Sequence, residues 1–310
     1  MSGRPPSPRY IVVARHGERL DYVQRDAGTP WTPTAAKPYD PPLTDHGREQ
    51  AYQLGRHLQK ELQRLQIPPI TTIYTSPFLR CRQTSVAAAK GLQEEATSSL
   101  SESSQTTAAA TTRICVEYGL SESFNEPWYR SWALPGTDGT WGYKLPNEAE
   151  TGIDPSTLHP WSKQPIQELP LFTDWQTDGE TPEVDTTYTS KTQITKPYTF
   201  HPSNLETKQE QCARMHQVVV DVASTTATTD NNDSGAETIM LTSHGAPVTH
   251  LFEALTGQSW QVHGRSVYCC YSVYRQATPP HGPWEAIVVN ESRYLNENLK
   301  GDNYVSQESK

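Results

Sequence analysis

The sequence predicts an α/β protein, a three-layer α/β/α sandwich with a mostly parallel central sheet and an irregular insertion after the third strand. Three observations carry that prediction. Short apolar runs such as Tyr10-Ile11-Val12-Val13 and Ile239-Met240-Leu241 read as strands buried on both faces. Helical stretches alternate with them in the order β-α-β-α-β-insertion-α-β-α-β-β, which favours parallel pairing with helices on both faces. Finally, a mean hydropathy of −0.70 and 34% hydrophobic residues over 310 residues mean that much of the chain cannot be core.

Residues 10–14 form the first strand and end abruptly in Arg15-His16-Gly17. Residues 21–43 carry Gly28, Pro30, Pro33, Pro38, Pro41 and Pro42 and are expected to be loop. A helix follows, capped by Thr44 or Asp45, with Ala51, Leu54, His57, Leu58, Leu62 and Leu65 at three- and four-residue spacing. A second strand over 71–75 leads through Ser76-Pro77 into a helix over 78–91. Residues 94–112 are low in complexity and lack the apolar groups that offset ordering entropy, so a disordered insertion is expected.

A third strand is expected over 113–118 and an irregular, cap-like excursion over 119–205. A helix follows over 201–224, and a second low-complexity insertion over 225–237. The strand 238–242 ends in Ser243-His244-Gly245. A helix over 247–255 and strands over 268–274 and 284–289 complete one domain spanning 10–295. Residues 1–9 and 296–310 are expected to be disordered tails.

The formal net charge of −9 argues against direct contact with nucleic acid or an anionic membrane. Five cysteines without a CxxC pair fit reduced thiols in a cytoplasmic or nuclear protein. Residues 1–9 hold no apolar secretory core, and no apolar run reaches the roughly 20 residues of a membrane span.

Four short segments could carry chemistry. Arg15-His16-Gly17-Glu18-Arg19 places an imidazole between two guanidinium groups, and Arg offers a fork matched to phosphate oxygens. Ser76-Pro77-Phe78-Leu79-Arg80 brings a helix N-terminus and a third arginine after the second strand. Ser243-His244-Gly245 supplies a second strand-end histidine. Glu122 follows the third strand in Gly119-Leu120-Ser121-Glu122 and could protonate a leaving oxygen. Alone, each has a bland reading as a solvated loop, a surface arginine or a structural hydrogen-bonder. Together they all follow predicted strands, and in a parallel sheet the carboxyl ends of the strands share one edge.

Arg15-His16-Gly17, Ser76-Pro77-x-x-Arg80 and Ser243-His244-Gly245 resemble the signatures of the histidine phosphatase (phosphoglycerate mutase-like) superfamily. The run Arg15 to Asp21, Asp40-Pro41-Pro42-Leu43-Thr44 and Ser76 to Thr84 resemble the phosphatase domain of ubiquitin-associated and SH3-containing proteins, and the insect ecdysteroid-phosphate phosphatases. The resemblance spans about residues 10–290 and implies a stand-alone domain. It implies His16 as the phosphorylated nucleophile, with Arg15, Arg19 and Arg80 holding the phosphate. His244 would complete the pocket, and Glu122 would be the proton donor, with Glu117 as the fallback. Arg82 is left out, since two residues from Arg80 it points to another side of the helix.

No metal or cofactor is implied. The expected activity is hydrolysis of phosphomonoesters through a phosphohistidine, on a phosphorylated small molecule or phosphoprotein. Two alternatives stand beside it. One is a phosphoglycerate-type mutase, disfavoured because Glu18-Arg19-Leu20-Asp21 follows where mutases carry a Glu-Ser pair. The other is a catalytically silent subunit of an assembly such as a transcription-factor complex; a homodimer or assembly partner is left open. Trp128, Tyr129, Trp132, Trp141, Tyr143, Trp161 and Trp175 either pin the excursion to the domain or form a wall for a bulky phosphoester.

Overall fold

The computed structural model describes residues 9–101, 111–122, 175–192, 206–225, 237–279 and 282–300, apart from residues 30, 32, 33 and 38. Six strands form one sheet: β1 (Arg9–Arg15), β2 (Ile70–Thr75), β3 (Arg113–Val116), β4 (Glu237–Ser243), β5 (Tyr271–Gln276) and β6 (Trp284–Glu291). Their order is β3-β2-β4-β1-β5-β6. The first four run parallel, and β5 and β6 extend the sheet antiparallel at one edge.

The apolar runs are uninterrupted because both faces of the central strands are covered. Successive side chains of a strand point to opposite faces. Val12 and Ala14 therefore meet helices α2 (Asp45–Arg64) and α3 (Leu79–Ser101) through Leu54, Leu58, Ala88 and Leu92. Ile11 and Val13 face the opposite layer, where α4 (Lys208–Thr225) and α5 (Gly245–Thr256) contribute Met215, Val218, Val222, Leu251 and Phe252. Each fully buried aliphatic side chain of this kind contributes about 1.5–3 kcal/mol.

The α/β/α sandwich predicted from the sequence is the architecture observed, with several local differences. Residues 20–26, expected to be loop, form the short helix α1 (Leu20–Asp26). The prolines that suggested a loop begin only at Pro30, and the Arg19–Asp21 ion pair ties down the first turn. Helix α3 continues to Ser101, past the start of the stretch expected to be disordered. Tyr52 on α2 donates to Glu94, and Arg56 on α2 pairs with Glu95, which holds that extension down. Strand β3 stops at Val116, because Glu117 turns its side chain to the 188–192 segment. Strand β5 begins at Tyr271, since Cys269 adopts a positive φ of 52° and breaks the extended run. Residues 296–300, expected to be disordered, form a turn whose Leu299 carbonyl accepts from Gln50 on α2 at 2.7 Å.

Of the 119–205 excursion, residues 119–122 and 175–192 are described, and the longer piece, 175–192, runs through turns and bends. Arg82 anchors that piece: buried, it pairs with Asp178 at 2.6 Å and donates to Thr181 Oγ1 at 2.6 Å. Trp175 is core and donates to Tyr118 Oη at 3.2 Å, so it pins the segment rather than lining a pocket. The other six aromatics named above, residues 102–110 of the first low-complexity tract and residues 226–236 of the second lie outside the described residues.

Candidate active site

Parallel pairing places four strand ends side by side. Arg15 is registered with Ser243, Thr75 with Thr242, and Thr75 again with Val116. The residues that follow emerge on one edge: His16 after β1, Ser76 after β2, Glu117 after β3 and His244 after β4. Backbone bonds continue the register beyond the strands, from His16 N to the Ser243 carbonyl and from Ser76 N to the Thr242 carbonyl, each at 3.0 Å.

The loop carrying His16 is held from several sides. Gly17 N donates to Thr84 Oγ1 at 3.1 Å, and Glu18 N donates to Gln50 Oε1 at 2.9 Å. Thr44 caps α2 by accepting from Gly47 N and donates its own hydroxyl proton to Glu18. A Cβ on Gly17 would sit 2.4 Å from the Gly47 carbonyl oxygen, so only glycine permits this approach of loop to helix. The Asp40–Thr44 segment closes beside it. Asp40 accepts from Leu79 N at 2.7 Å at the start of α3, and Leu43 N donates to Gln83 Oε1 at 2.8 Å.

His16 and His244 lie with ring centroids 5.3 Å apart, and Tyr268 flanks His16 at 5.7 Å. His16 Nδ1 is 2.7 Å from the Gly17 carbonyl oxygen. A carbonyl only accepts, so Nδ1 carries the proton and the lone pair is on Nε2. His244 Nδ1 is 3.0 Å from Arg80 Nη2, which can only donate, so its proton sits on Nε2 and is given to Ser76 Oγ at 2.8 Å. His244 thereby orients Arg80.

Three guanidinium groups surround the pair. Arg80 is wholly buried, with its carbon stacked over the Phe78 ring at 4.3 Å and Asp40 3.8 Å from Nη1. Arg15 donates to the Ser266 carbonyl at 2.6 Å and lies 4.6 Å over the Tyr268 ring. Arg15 Nε, Arg80 Nε and Arg80 Nη1 are buried donors without a hydrogen-bond acceptor among the described residues. Arg19 is arranged differently. Asp21 grips it at both Nε (3.0 Å) and Nη2 (2.6 Å), and its guanidinium carbon rests 4.0 Å over Tyr22. Asp21, Tyr22, Tyr268 and Ser266 therefore belong to the site, although sequence reasoning gave them no role. Asp21 could have been found, since it lies two residues from Arg19; Tyr268 and Ser266 carry no local signal.

The two candidate proton donors separate cleanly. Glu117 is fully buried and its carboxylate accepts from the Tyr188 hydroxyl (3.0 Å), the Ser190 hydroxyl, Lys191 N (2.9 Å) and Thr192 N (3.0 Å). With its lone pairs spent on the 188–192 segment, Glu117 is an anchor, and the fallback assignment does not fit. Glu122 is also buried, two residues beyond the Tyr118–Leu120 turn that follows β3, and its charge acts on both Arg80 and Cys81. Among the described residues no group of three or more His, Cys, Asp or Glu side chains converges as a metal site would. No helix among them is long and apolar enough to cross a membrane.

Burial, and then the charge of Arg80, holds both His16 and His244 well below their ordinary value of 6.5. In the unfolded chain both titrate near 6.5. Above that pH neither state binds the protons; below it the unfolded chain binds protons that the fold refuses. Stability therefore falls as pH drops through that value, by up to about 1.4 kcal/mol per pH unit for each histidine. Thermal melts between about pH 8 and pH 5 should show this decline, with a shallower slope in His16→Gln. A Tm that rises towards pH 5 would contradict it.

Residues 11–138 carry the sequence pattern of the histidine phosphatase superfamily (branch 1). No curated protein sequence matches the chain significantly. The fold is similar to that of the ecdysone phosphate phosphatase from Bombix mori, solved in complex with tungstate; the two share 19% identity over 93% of this chain and 95% of that one, with a TM-score of 0.52. It is similar also to mycobacterial hydrolase 2, at 14% identity over 94% and 95% of the respective chains and a TM-score of 0.51. Residues 11–138 are thus similar in sequence to the histidine phosphatase superfamily, and nearly the whole chain is similar in fold to these two proteins.

Proposed function

We propose that the protein is a phosphatase that hydrolyses phosphomonoesters through a phosphohistidine formed at His16. One observation carries this reading: a neutral histidine, its Nδ1 proton fixed, lies among buried guanidinium groups whose N–H donors are unspent. Buried donors without acceptors cost about 1–3 kcal/mol each, and a tetrahedral oxyanion would satisfy several at once.

In the first step the Nε2 lone pair of His16 forms a bond to phosphorus. The P–O bond to the leaving group breaks, and Glu122 delivers a proton to that oxygen. In the second step a water oxygen attacks phosphorus and gives a proton to the Glu122 carboxylate. The N–P bond then breaks and its pair returns to Nε2, releasing inorganic phosphate. Arg15 and Arg80 neutralise the charge on the transferring oxygens, with His244 and Ser76 holding Arg80 in place. Arg19, turned by Asp21, supplies a third positive charge. The substrate is a phosphorylated small molecule or phosphoprotein. Kinship with the phosphatase domain of ubiquitin-associated and SH3-containing proteins rests on Arg15 to Asp21 and Ser76 to Thr84.

Quenching the enzyme during turnover of p-nitrophenyl phosphate tests the reading. Acid-labile, base-stable phosphate should map to His16, and inorganic phosphate should be released. Interconversion of phosphoglycerates without net release would make the protein a mutase. No phosphoenzyme and no release across a broad panel of phosphoesters would leave the silent-subunit reading instead.

A further inference from the structure

Glu122 sits on a loop whose preceding carbonyls are claimed one by one. Nη1 of Arg214, on α4, donates to the Gly119 carbonyl at 2.5 Å and to the Ser121 carbonyl at 2.9 Å. Between them, the Leu120 carbonyl accepts from Ser243 Oγ at 2.6 Å. Ser243 is the last residue of β4 and immediately precedes His244, so one strand end places the second histidine and holds the acid-bearing loop.

Arg214 is itself fixed: Glu206 takes its Nε at 2.8 Å and its Nη2 at 2.6 Å, a two-pronged pair that orients the guanidinium plane. Both Nη1 hydrogens are thereby aimed at the loop. Helix α4 can come this close because residue 119 is glycine; a Cβ there would lie 2.3 Å from the Val218 side chain. The turn Tyr118–Leu120 is clasped between α4 and β4, and Glu122 leaves the clasp one residue after Ser121.

We propose that Arg214 is a positioning residue for proton donation, holding the loop so that Glu122 faces the leaving oxygen. This inference rests on Glu122 being the donor in the reaction proposed above. A displaced donor matters in proportion to how badly the leaving group needs a proton. Loss of general acid catalysis costs about 100- to 10,000-fold when the leaving group is poor, and little when it departs as a stable anion.

The test is kcat/KM on two substrates, p-nitrophenyl phosphate with its acidic leaving group and benzyl phosphate with its basic one. Glu122→Gln should fall about 100-fold or more on benzyl phosphate and only a few-fold on p-nitrophenyl phosphate. Arg214→Met keeps the aliphatic stem and should show the same split, about tenfold or more against a few-fold, with Arg214→Lys recovering part of the loss. Equal losses on both substrates, or no loss, in Arg214→Met would overturn the proposal if Glu122→Gln shows the split. If Glu122→Gln shows no split, the donor assignment itself has failed, and the proposal falls with it. Should Arg214→Met not fold, Glu206→Gln, which loosens the grip on Arg214, must show a smaller split of the same sense; its absence overturns the proposal.

Discussion

His16→Ala should reduce turnover of phosphomonoesters by on the order of 10,000-fold or more, with little change in the far-ultraviolet spectrum. The magnitude follows from the role proposed for His16 as covalent nucleophile, since deleting such a residue costs about as much as removing the whole catalytic set. The structural cost is small by comparison. The His16 backbone bonds to Ser243 and Cys269 do not depend on the side chain, whose one hydrogen bond among the described residues is to the adjacent Gly17 carbonyl. Steady-state assays of both proteins on p-nitrophenyl phosphate decide the matter; His16→Ala turning over at the wild-type rate would end the mechanism.

Arg80→Met should separate activity from stability. Removing one electrostatic group aimed at developing charge costs about 100- to 1,000-fold in kcat. The same substitution removes a buried cation with two unspent donors, whose proton affinity is lowered by burial and then by the charge of Arg19, but it also takes the ion-pair partner from Asp40 and the donor from His244 Nδ1. Methionine fills much of the same volume, so the relief and the lost partners partly offset and the Tm should shift only modestly beside the loss of kcat. Inorganic phosphate or tungstate should raise the Tm of the wild type and leave that of Arg80→Met nearly unchanged, because only a folded state that binds the anion gains from mass action. A variant that turns over near the wild-type rate, or that phosphate stabilises as much as it does the wild type, would contradict the argument.

The central sheet was legible because a strand buried on both faces has no polar alternation to obscure it: Ile11 to Ala14 and Ile239 to Leu241 read as apolar blocks. The strand-end residues Arg15, His16, Ser76, Arg80 and His244 could be placed together for the same reason, since parallel strands share a carboxyl edge. What escaped was whatever a distant partner decides. The length of β3 depends on donors some 70 residues later, and the far end of α3 on Tyr52 and Arg56 of α2. The choice between Glu117 and Glu122 was closed to the sequence for that reason too, because the donors that satisfy Glu117 come from residues 188–192. Arg82, set aside as a candidate ligand, proved to be a buried anchor for Asp178 and Thr181, a role that its neighbours in sequence do not announce.

Strand β1 pairs with β4 and β5, its neighbours in the sheet, which begin 222 and 256 residues after Arg15. At the usual pace of synthesis, about 5–20 residues per second, the first strand waits roughly 10–50 s on the ribosome before either neighbour exists. During that interval Ile11, Val12 and Val13 present both apolar faces and both unpaired edges to the surroundings. The site of the proposed reaction can form only late, since His16 and His244 cannot meet until β4 has been made and paired with β1.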